Sequence, residues 1–352
     1  MYEAVGVIHL HSTFSDGTAD IGEIMTAASQ NHLDFVVLTD HDTLRALEFG
    51  YEGYHDGIML LCGYEITPER DHYLVIGTDK LITNDGGPQV FVTAVRYAGG
   101  LGFIAHPDHV GVPRFGVGRY NWTHWEVDGF TGVGVWDLMT DWQERVTGIW
   151  QGIKGVLNPL GHIRGPRTVT LKRWDEMNLR RRVVGIGEID NHGKHHRFLF
   201  IRLTIFPYRF AMGTVHNHLL LKKPPSGDFK RDKQALLDAL RLGRLYISME
   251  AFGSANGFRF WGELSDGKSL SIGDRMKFSE GVPFQIESPR EAKIRLLCNG
   301  VVVKEVAGSR LEYEAGSPGV YRAEVYLPDK SWKKRSLPWI FSNPIVLVDG
   351  LG

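Results

Sequence analysis

The chain has 352 residues, 43% hydrophobic and 23% charged, the balance of an ordinary globular protein, which excludes wholesale disorder, collagen-like repeats and a coiled coil. Forty basic and 41 acidic side chains leave a net charge of -1, so no global field draws it to nucleic acid or to an anionic membrane. Two distant cysteines, Cys62 and Cys298, do not form a disulfide framework. The first motif begins at residue 9, leaving no room for a secretory signal, and no apolar run reaches the ~20 residues of a membrane helix. The expectation is a soluble, cytoplasmic protein with neither a nucleic-acid nor a membrane partner.

In chain order, Val5–Ile8 reads as a buried strand. Asp20 then caps a helix with apolar positions Ile21, Ile24, Met25 and Ala28. Apolar runs at Phe35–Leu38, Ile58–Cys62, Tyr73–Ile76 and Leu101–Ile104 follow. Continuous apolar strands between helical patterns predict a parallel sheet covered on both faces, hence an α/β fold. Residues 111–182 read as a helical and loop excursion around one strand, Val133–Trp136, with tryptophans serving as core or lid packing. A strand at Val183–Ile189 and an amphipathic helix at Asp232–Leu242, stopping at Gly243, complete this pattern. Beyond about residue 250, short strands alternate with turn signals. Asn299-Gly300 between two apolar runs predicts a tight hairpin, and the spacing suggests a small antiparallel sandwich.

Fifteen histidines are the chemical oddity, because imidazole is both a metal ligand and a proton carrier near neutral pH. His9 and His11 end the first strand, two apart and therefore on one face. Asp16 follows in a Ser-Asp-Gly turn. His41 ends the second strand, Glu65 lies just past the third, His72 opens the fourth, His106 ends the fifth, and Asp190 and His192 follow Val183–Ile189. Strand ends in α/β barrels are where active sites are built. Six imidazoles and three carboxylates exceed the four ligands of a single zinc site, so the count suits two or three adjacent cations with a bridging carboxylate. Such ions lower the pKa of bound water and polarise a phosphoryl group.

His9-Leu10-His11, Ser15-Asp16-Gly17, Thr39-Asp40-His41-Asp42-Thr43, Glu65, Ala105-His106-Pro107 and Asp190-Asn191-His192 resemble the ordered motifs of the PHP (polymerase and histidinol phosphatase) superfamily. The resemblance implies a distorted seven-stranded β/α barrel over residues 1–250, with the insertion at about 111–182, holding two or three divalent ions (zinc, manganese or iron). It implies as ligands His9, His11, Asp16, His41, Glu65, His72, His106, Asp190 and His192. The family pattern groups His9, His11, Glu65 and Asp190 on one ion, Asp16, His41 and His192 on a second, and Glu65, His72 and His106 on a third. Gly319-Val320-Tyr321-Arg322-Ala323-Glu324 and Pro338-Trp339-Ile340-Phe341-Ser342-Asn343-Pro344 resemble the β-sandwich that follows the barrel in the branch with carbaryl-type ester hydrolases, which implies an immunoglobulin-like sandwich over residues 251–352.

The expected activity is hydrolysis of a small phosphorylated metabolite or nucleotide by attack of metal-bound hydroxide on phosphorus. Carboxylic or carbamate ester hydrolysis at the same site, and a catalytically silent binding module, are the alternatives. Arg45, Arg114, Arg119, Lys194 and Arg197 are candidate phosphate contacts, with Arg45 and Arg197 taken as catalytic. Asp40 is expected to orient the neighbouring His41. A second His-x-His, His216 and His218, reads as ordinary strand or surface, lacking companion carboxylates and strand-end context.

Overall fold

The computed structural model describes residues 1–113, 116–198, 201–264, 267–278, 281–328 and 336–349, with the side chains of 196–198 and 201–203 outside the described set. Arg114 and the side chain of Arg197 therefore lie outside the described residues. The chain is a mixed α/β protein with one large sheet and a strand-rich C-terminal region.

The strands that matter for the site are β1 (Tyr2–Ile8), β2 (Phe35–His41), β3 (Ile58–Ile66), β4 (Tyr73–Ile76), β5 (Leu101–Ile104), β6 (Gly132–Asp137), β7 (Val184–Glu188), β8 (Val215–Leu221) and β9 (Leu245–Met249). Along β1 to β3, alternate residues enter two different apolar clusters: Val7, Val36, Leu38 and Leu60 on one side, Ile8, Phe35, Val37 and Leu61 on the other. Covering both faces in this way is why the strands read as continuous apolar runs. The helix Ile21–Gln30 starts where expected: Asp20 accepts from Glu23 N at 2.8 Å, and the Glu23 carboxylate accepts from Asp20 N at 3.0 Å. The later helix begins slightly earlier than read, at Phe229, and ends on Gly243 at φ 68°.

The sheet is not parallel throughout, which corrects the sequence expectation. β1–β2, β2–β3, β5–β6 and β6–β7 are parallel, but β4 runs antiparallel to both β3 and β5. Residues 67–72 between β3 and β4 are too short for a parallel crossover, which needs a dozen or more residues, so the chain must fold straight back. The reversal brings the start of β4, with His72, to the end of the sheet where the other strands finish. The two ends of the row meet through a parallel bridge, Leu10 to Asn191, and a hydrogen bond from Ile189 N to Ile8 O. β8 and β9 add antiparallel strands beside β1.

In the C-terminal region, strands Val282–Cys298 and Val301–Ala315 form a hairpin about Asn299 (φ 53°) and Gly300 (φ 79°). Two successive positive φ values are what the Asn-Gly pair supplies. This region has its own apolar core, including Phe258, Phe284, Ile294, Tyr321 and Trp339. It is nonetheless stitched to the first part: strand Ser336–Ser342 pairs with β9, and Asn343 exchanges hydrogen bonds with Gly185 in β7 at 2.8 Å each way. Arg322, 2% exposed, reaches Asp175 on helix Thr168–Asn178 through two nitrogens at 2.6 and 2.8 Å.

Candidate metal centre

Strand ends deliver the chemistry. His9, His106 and Asp190 each sit just past a strand with positive φ, at 71°, 27° and 42°. For residues with a Cβ, such left-handed backbone costs about 1–3 kcal/mol each and concentrates at functional sites. The turn it forces redirects each side chain toward one point.

That point is Glu65, buried in β3. Its Oε2 lies 3.3 Å from His9 Nε2, 3.5 Å from His11 Nε2 and 3.0 Å from His41 Nδ1, while Oε1 lies 3.0 Å from His72 Nδ1 and 3.3 Å from His106 Nε2. A carboxylate has about four lone-pair sites, and five imidazole nitrogens converge on this one. Asp190 Oδ1 stands 3.4 Å from His9 Nε2 and 3.5 Å from His11 Nε2. Asp16 Oδ1 stands 3.4 Å from His41 Nε2 and 3.2 Å from His192 Nε2, and those two nitrogens are 3.3 Å apart. The structure thus brings all nine residues into one cluster.

Within this cluster, donor atoms close enough to share an ion fall into three overlapping sets: His11, Asp16, His41 and His192; His9, Glu65 and His106; and His9, His11 and Asp190. His72 touches Glu65 without entering these sets, and His9 stands with Glu65 and His106 where the family pattern has His72. Several buried atoms of the cluster have no hydrogen-bond partner: His9 Nε2, both nitrogens of His11, Glu65 Oε2 and His106 Nδ1. Buried polar atoms are otherwise almost always paired. Orphaned imidazole and carboxylate donors facing one another fit divalent cations of the zinc, manganese or iron type.

Electrostatics agree with that fit. Burial opposes charge on His9 and His106, yet Glu65 and Asp190 outweigh it and raise both, His106 to about 9. His11, buried beside His192 and His41, is pushed down to about 3. Burial also works against ionised Glu65, but His9, His72, His106 and His41 hold its carboxyl well below the usual range. The arrangement keeps carboxylates ionised and leaves His11 neutral, the states that bind metal, while a cation bound at His9 and His106 takes the place of the protons that Glu65 and Asp190 favour there.

Several supporting residues escaped the sequence reading. Glu188, at the end of β7, accepts from His9 Nδ1 at 3.0 Å and from His106 N at 3.0 Å; its spacing of two from Asp190 was the available signal. Gly134 leaves room for it, since a Cβ there would fall 1.4 Å from Glu188 Oε2. Thr67 Oγ1 contacts His41 Nδ1 at 2.8 Å, and Tyr208 donates to the His11 carbonyl at 2.7 Å. Fixing the far nitrogen of a ligand histidine sets its tautomer and ring orientation. Glu188→Gln and Gly134→Ala are each expected to weaken metal binding about 10- to 100-fold, read by competition with a chromophoric chelator; unchanged affinity in both would remove Glu188 from this role.

Asp40 differs from its expected role. Its hydrogen bonds run to Ser12 N and Oγ, each at 2.7 Å, and to Ser15 Oγ at 2.6 Å, so it braces the turn carrying Asp16 while Thr67 and Glu65 meet the His41 ring. The Arg45 guanidinium lies over the rings of Phe14 and Phe49 at 5.4 and 5.6 Å. Lys194 reaches the cluster, with Nζ 2.6 Å from Asp16 Oδ2. Both nitrogens of His109 are occupied, by Gln143 Oε1 at 2.8 Å and Tyr120 N at 3.3 Å. His216 and His218, read as strand or surface, lie on β8 but are buried.

Among solved structures, the chain resembles a two-domain protein from Bacteroides vulgatus ATCC 8482 described as containing a predicted PHP-like metal-dependent phosphoesterase. Identity is 15%, coverage 97% of this chain and 95% of that one, and the TM-score 0.41. A putative metal-dependent phosphoesterase from Bifidobacterium adolescentis shares 18% identity over 56% of this chain and 91% of that one, with a TM-score of 0.36. An amidohydrolase from Chromobacterium violaceum, with bound sulfate and no metal, shares 16% over 53% and 87%, with a TM-score of 0.33. No curated protein matches the sequence. No helix among the described residues is long and apolar enough to cross a membrane. The PHP domain family model matches residues 8–256, a span that contains all nine clustered donors, and this chain belongs to the PHP domain family.

Proposed function

We propose that this protein is a multinuclear metal-dependent phosphoesterase that hydrolyses a small phosphorylated metabolite or nucleotide. The observation that carries the reading is Glu65, buried among more imidazoles than its oxygens can serve alone. Two or three divalent ions held by His9, His11, Asp16, His41, Glu65, His72, His106, Asp190 and His192 resolve that crowding. When bound, such ions act as Lewis acids that activate water and polarise phosphoryl oxygens.

Exposure gives the direction of approach. The side chains of His9 and His11 are fully covered and Glu65 is 1% exposed, whereas Asp16 is 42%, His41 24% and His192 17% exposed. Substrate therefore meets the Asp16, His41 and His192 side, where Lys194 stands ready to contact a non-bridging phosphoryl oxygen. Lys194 takes the role first given to Arg45, and Asp40 serves by holding the turn that presents Asp16. The seven strands β1 to β7, with the Leu10–Asn191 bridge between the outer two, support a β/α barrel spanning about residues 1–250. The separate C-terminal apolar core supports an immunoglobulin-like sandwich over 251–352.

Carboxylic or carbamate ester hydrolysis at the same centre is favoured by one feature, Tyr120, whose ring stacks on His72 at 5.1 Å and on His109 at 5.3 Å and supplies an aromatic wall. Parallel assays of the zinc- and manganese-loaded protein on aryl phosphates, phosphodiesters, naphthyl acetates and naphthyl carbamates separate the readings. Phosphate release is expected; turnover confined to carbon esters overturns the phosphoesterase assignment. A protein that binds neither metal and turns over none of them is a silent module.

A further inference from the structure

A second cluster of ligand-type side chains lies away from the first. His216 and His218 share one face of β8, two residues apart, while Asn217 between them points the other way and exchanges hydrogen bonds with Gly187 in β7 at 2.8 Å each. Glu250 follows β9 in the turn Glu250–Phe252 that opens the C-terminal region. One donor atom from each of His216, His218 and Glu250 lies within 4.8 Å of the others. His218 is 0% and His216 5% exposed.

The tautomers are constrained. His216 Nε2 sits 2.6 Å from the Met212 carbonyl oxygen, so it carries the hydrogen, and Nδ1 is left as a bare lone pair. That Nδ1 is buried and has no partner. His218 Nδ1 lies 2.7 Å from Glu3 Oε1, and Nε2 faces Glu250 Oε1 at 3.2 Å and Ser248 Oγ at 2.8 Å. If Nδ1–H donates to Glu3, then Nε2 and the Glu250 carboxylate oppose lone pair to lone pair, and the single Ser248 hydroxyl, which donates to Glu250 Oε1 at 2.9 Å, cannot serve both. Either a proton on Nε2 or a cation relieves that opposition. A proton on His218 does nothing for His216 Nδ1, whereas a cation serves both rings and Glu250 together.

The outer contacts have the matching form. A ligating histidine ordinarily gives its other N–H to a carboxylate or a backbone carbonyl; here Glu3 plays that part for His218 and Met212 O for His216. Glu3 is itself held by Tyr246 Oη at 2.5 Å and Gly257 N at 3.1 Å, and Glu250 by Ala255 N at 2.9 Å. Two carboxylates against at most one imidazolium leave the pocket negative, which favours a divalent ion.

We propose that His216 Nδ1, His218 Nε2 and Glu250 form a second, structural metal site for a zinc-class cation, separate from the centre around Glu65. Two imidazoles and a carboxylate suit zinc and its neighbours better than calcium or magnesium. Three protein ligands leave one position of a tetrahedral ion open, and the burial of both histidines shields that position from substrate. The ion would pin β8 and β9 to the segment 250–257 at the start of the C-terminal region.

The 352-residue chain is stripped with chelator, loaded with zinc and freed of excess, and bound zinc is counted by mass spectrometry. His216→Gln is expected to hold one zinc per chain fewer than wild type, and chelator should lower its melting temperature by less than it lowers that of wild type. Anomalous diffraction at the zinc edge from wild-type crystals should place a peak between His216, His218 and Glu250, a readout that needs no variant to fold. Zinc peaks around Glu65 with none here, or equal zinc counts in wild type and His216→Gln, would overturn the proposal and leave a charged His218 network in its place. Absence of phosphatase activity would bear on the other centre and not on this one.

Discussion

Glu65→Gln is expected to lower phosphatase kcat/KM by about a thousand-fold or more, because several kcal/mol of transition-state stabilisation depend on ions this carboxylate helps to hold. The amide is close in shape but neutral, and one of its oxygens becomes an NH2 donor that faces imidazole nitrogens. Both Glu65 oxygens face imidazole nitrogens, three near one and two near the other, so neither amide orientation restores the set. Metal counting on the loaded variant should show the loss alongside the kinetics. A variant that retains full metal content and near-wild-type turnover would remove Glu65 from the centre. A structural zinc at His216 and His218 should survive this substitution, which separates the two sites in one preparation.

Arg322→Met is expected to cost about 3–5 kcal/mol of stability, the usual penalty for breaking a buried ion pair. Arg322 donates to both Asp175 oxygens and, at 2.6 Å, to Glu324, and the three residues are 2%, 5% and 4% exposed. Its removal leaves two carboxylates buried without a cation, between the C-terminal region and the helix Thr168–Asn178. Urea unfolding measures the loss, and replacing Asp175 and Glu324 by apolar residues as well should recover most of it. A loss below about 1 kcal/mol would show the carboxylates to be hydrated or paired elsewhere, as surface ion pairs are.

Much of the histidine and carboxylate cluster was legible because local rules place its members. Alternation along a strand puts His9 and His11 on one face, and apolar runs that stop at His41, His106 and Asp190 mark strand ends. The helix cap at Asp20 and the hairpin at Asn299-Gly300 were equally local, each depending on residues within a few positions. His72 needed topology: it opens its strand, and joins the others because β4 runs backward. Glu188 was missed because the atoms it serves lie far away in sequence, 179 positions in the case of His9.

His216 and His218 show the same boundary. The sequence by itself determined that they share a face of a strand, since that follows from the two-residue pleat. The tertiary structure alone decided that this face is buried and that Glu3 and Glu250 close around it, the former 215 positions from His218. Propensity, capping and alternation act over a few residues, so they can be read directly. Convergence of charge depends on strand order, direction and register, which are settled by packing of the whole chain.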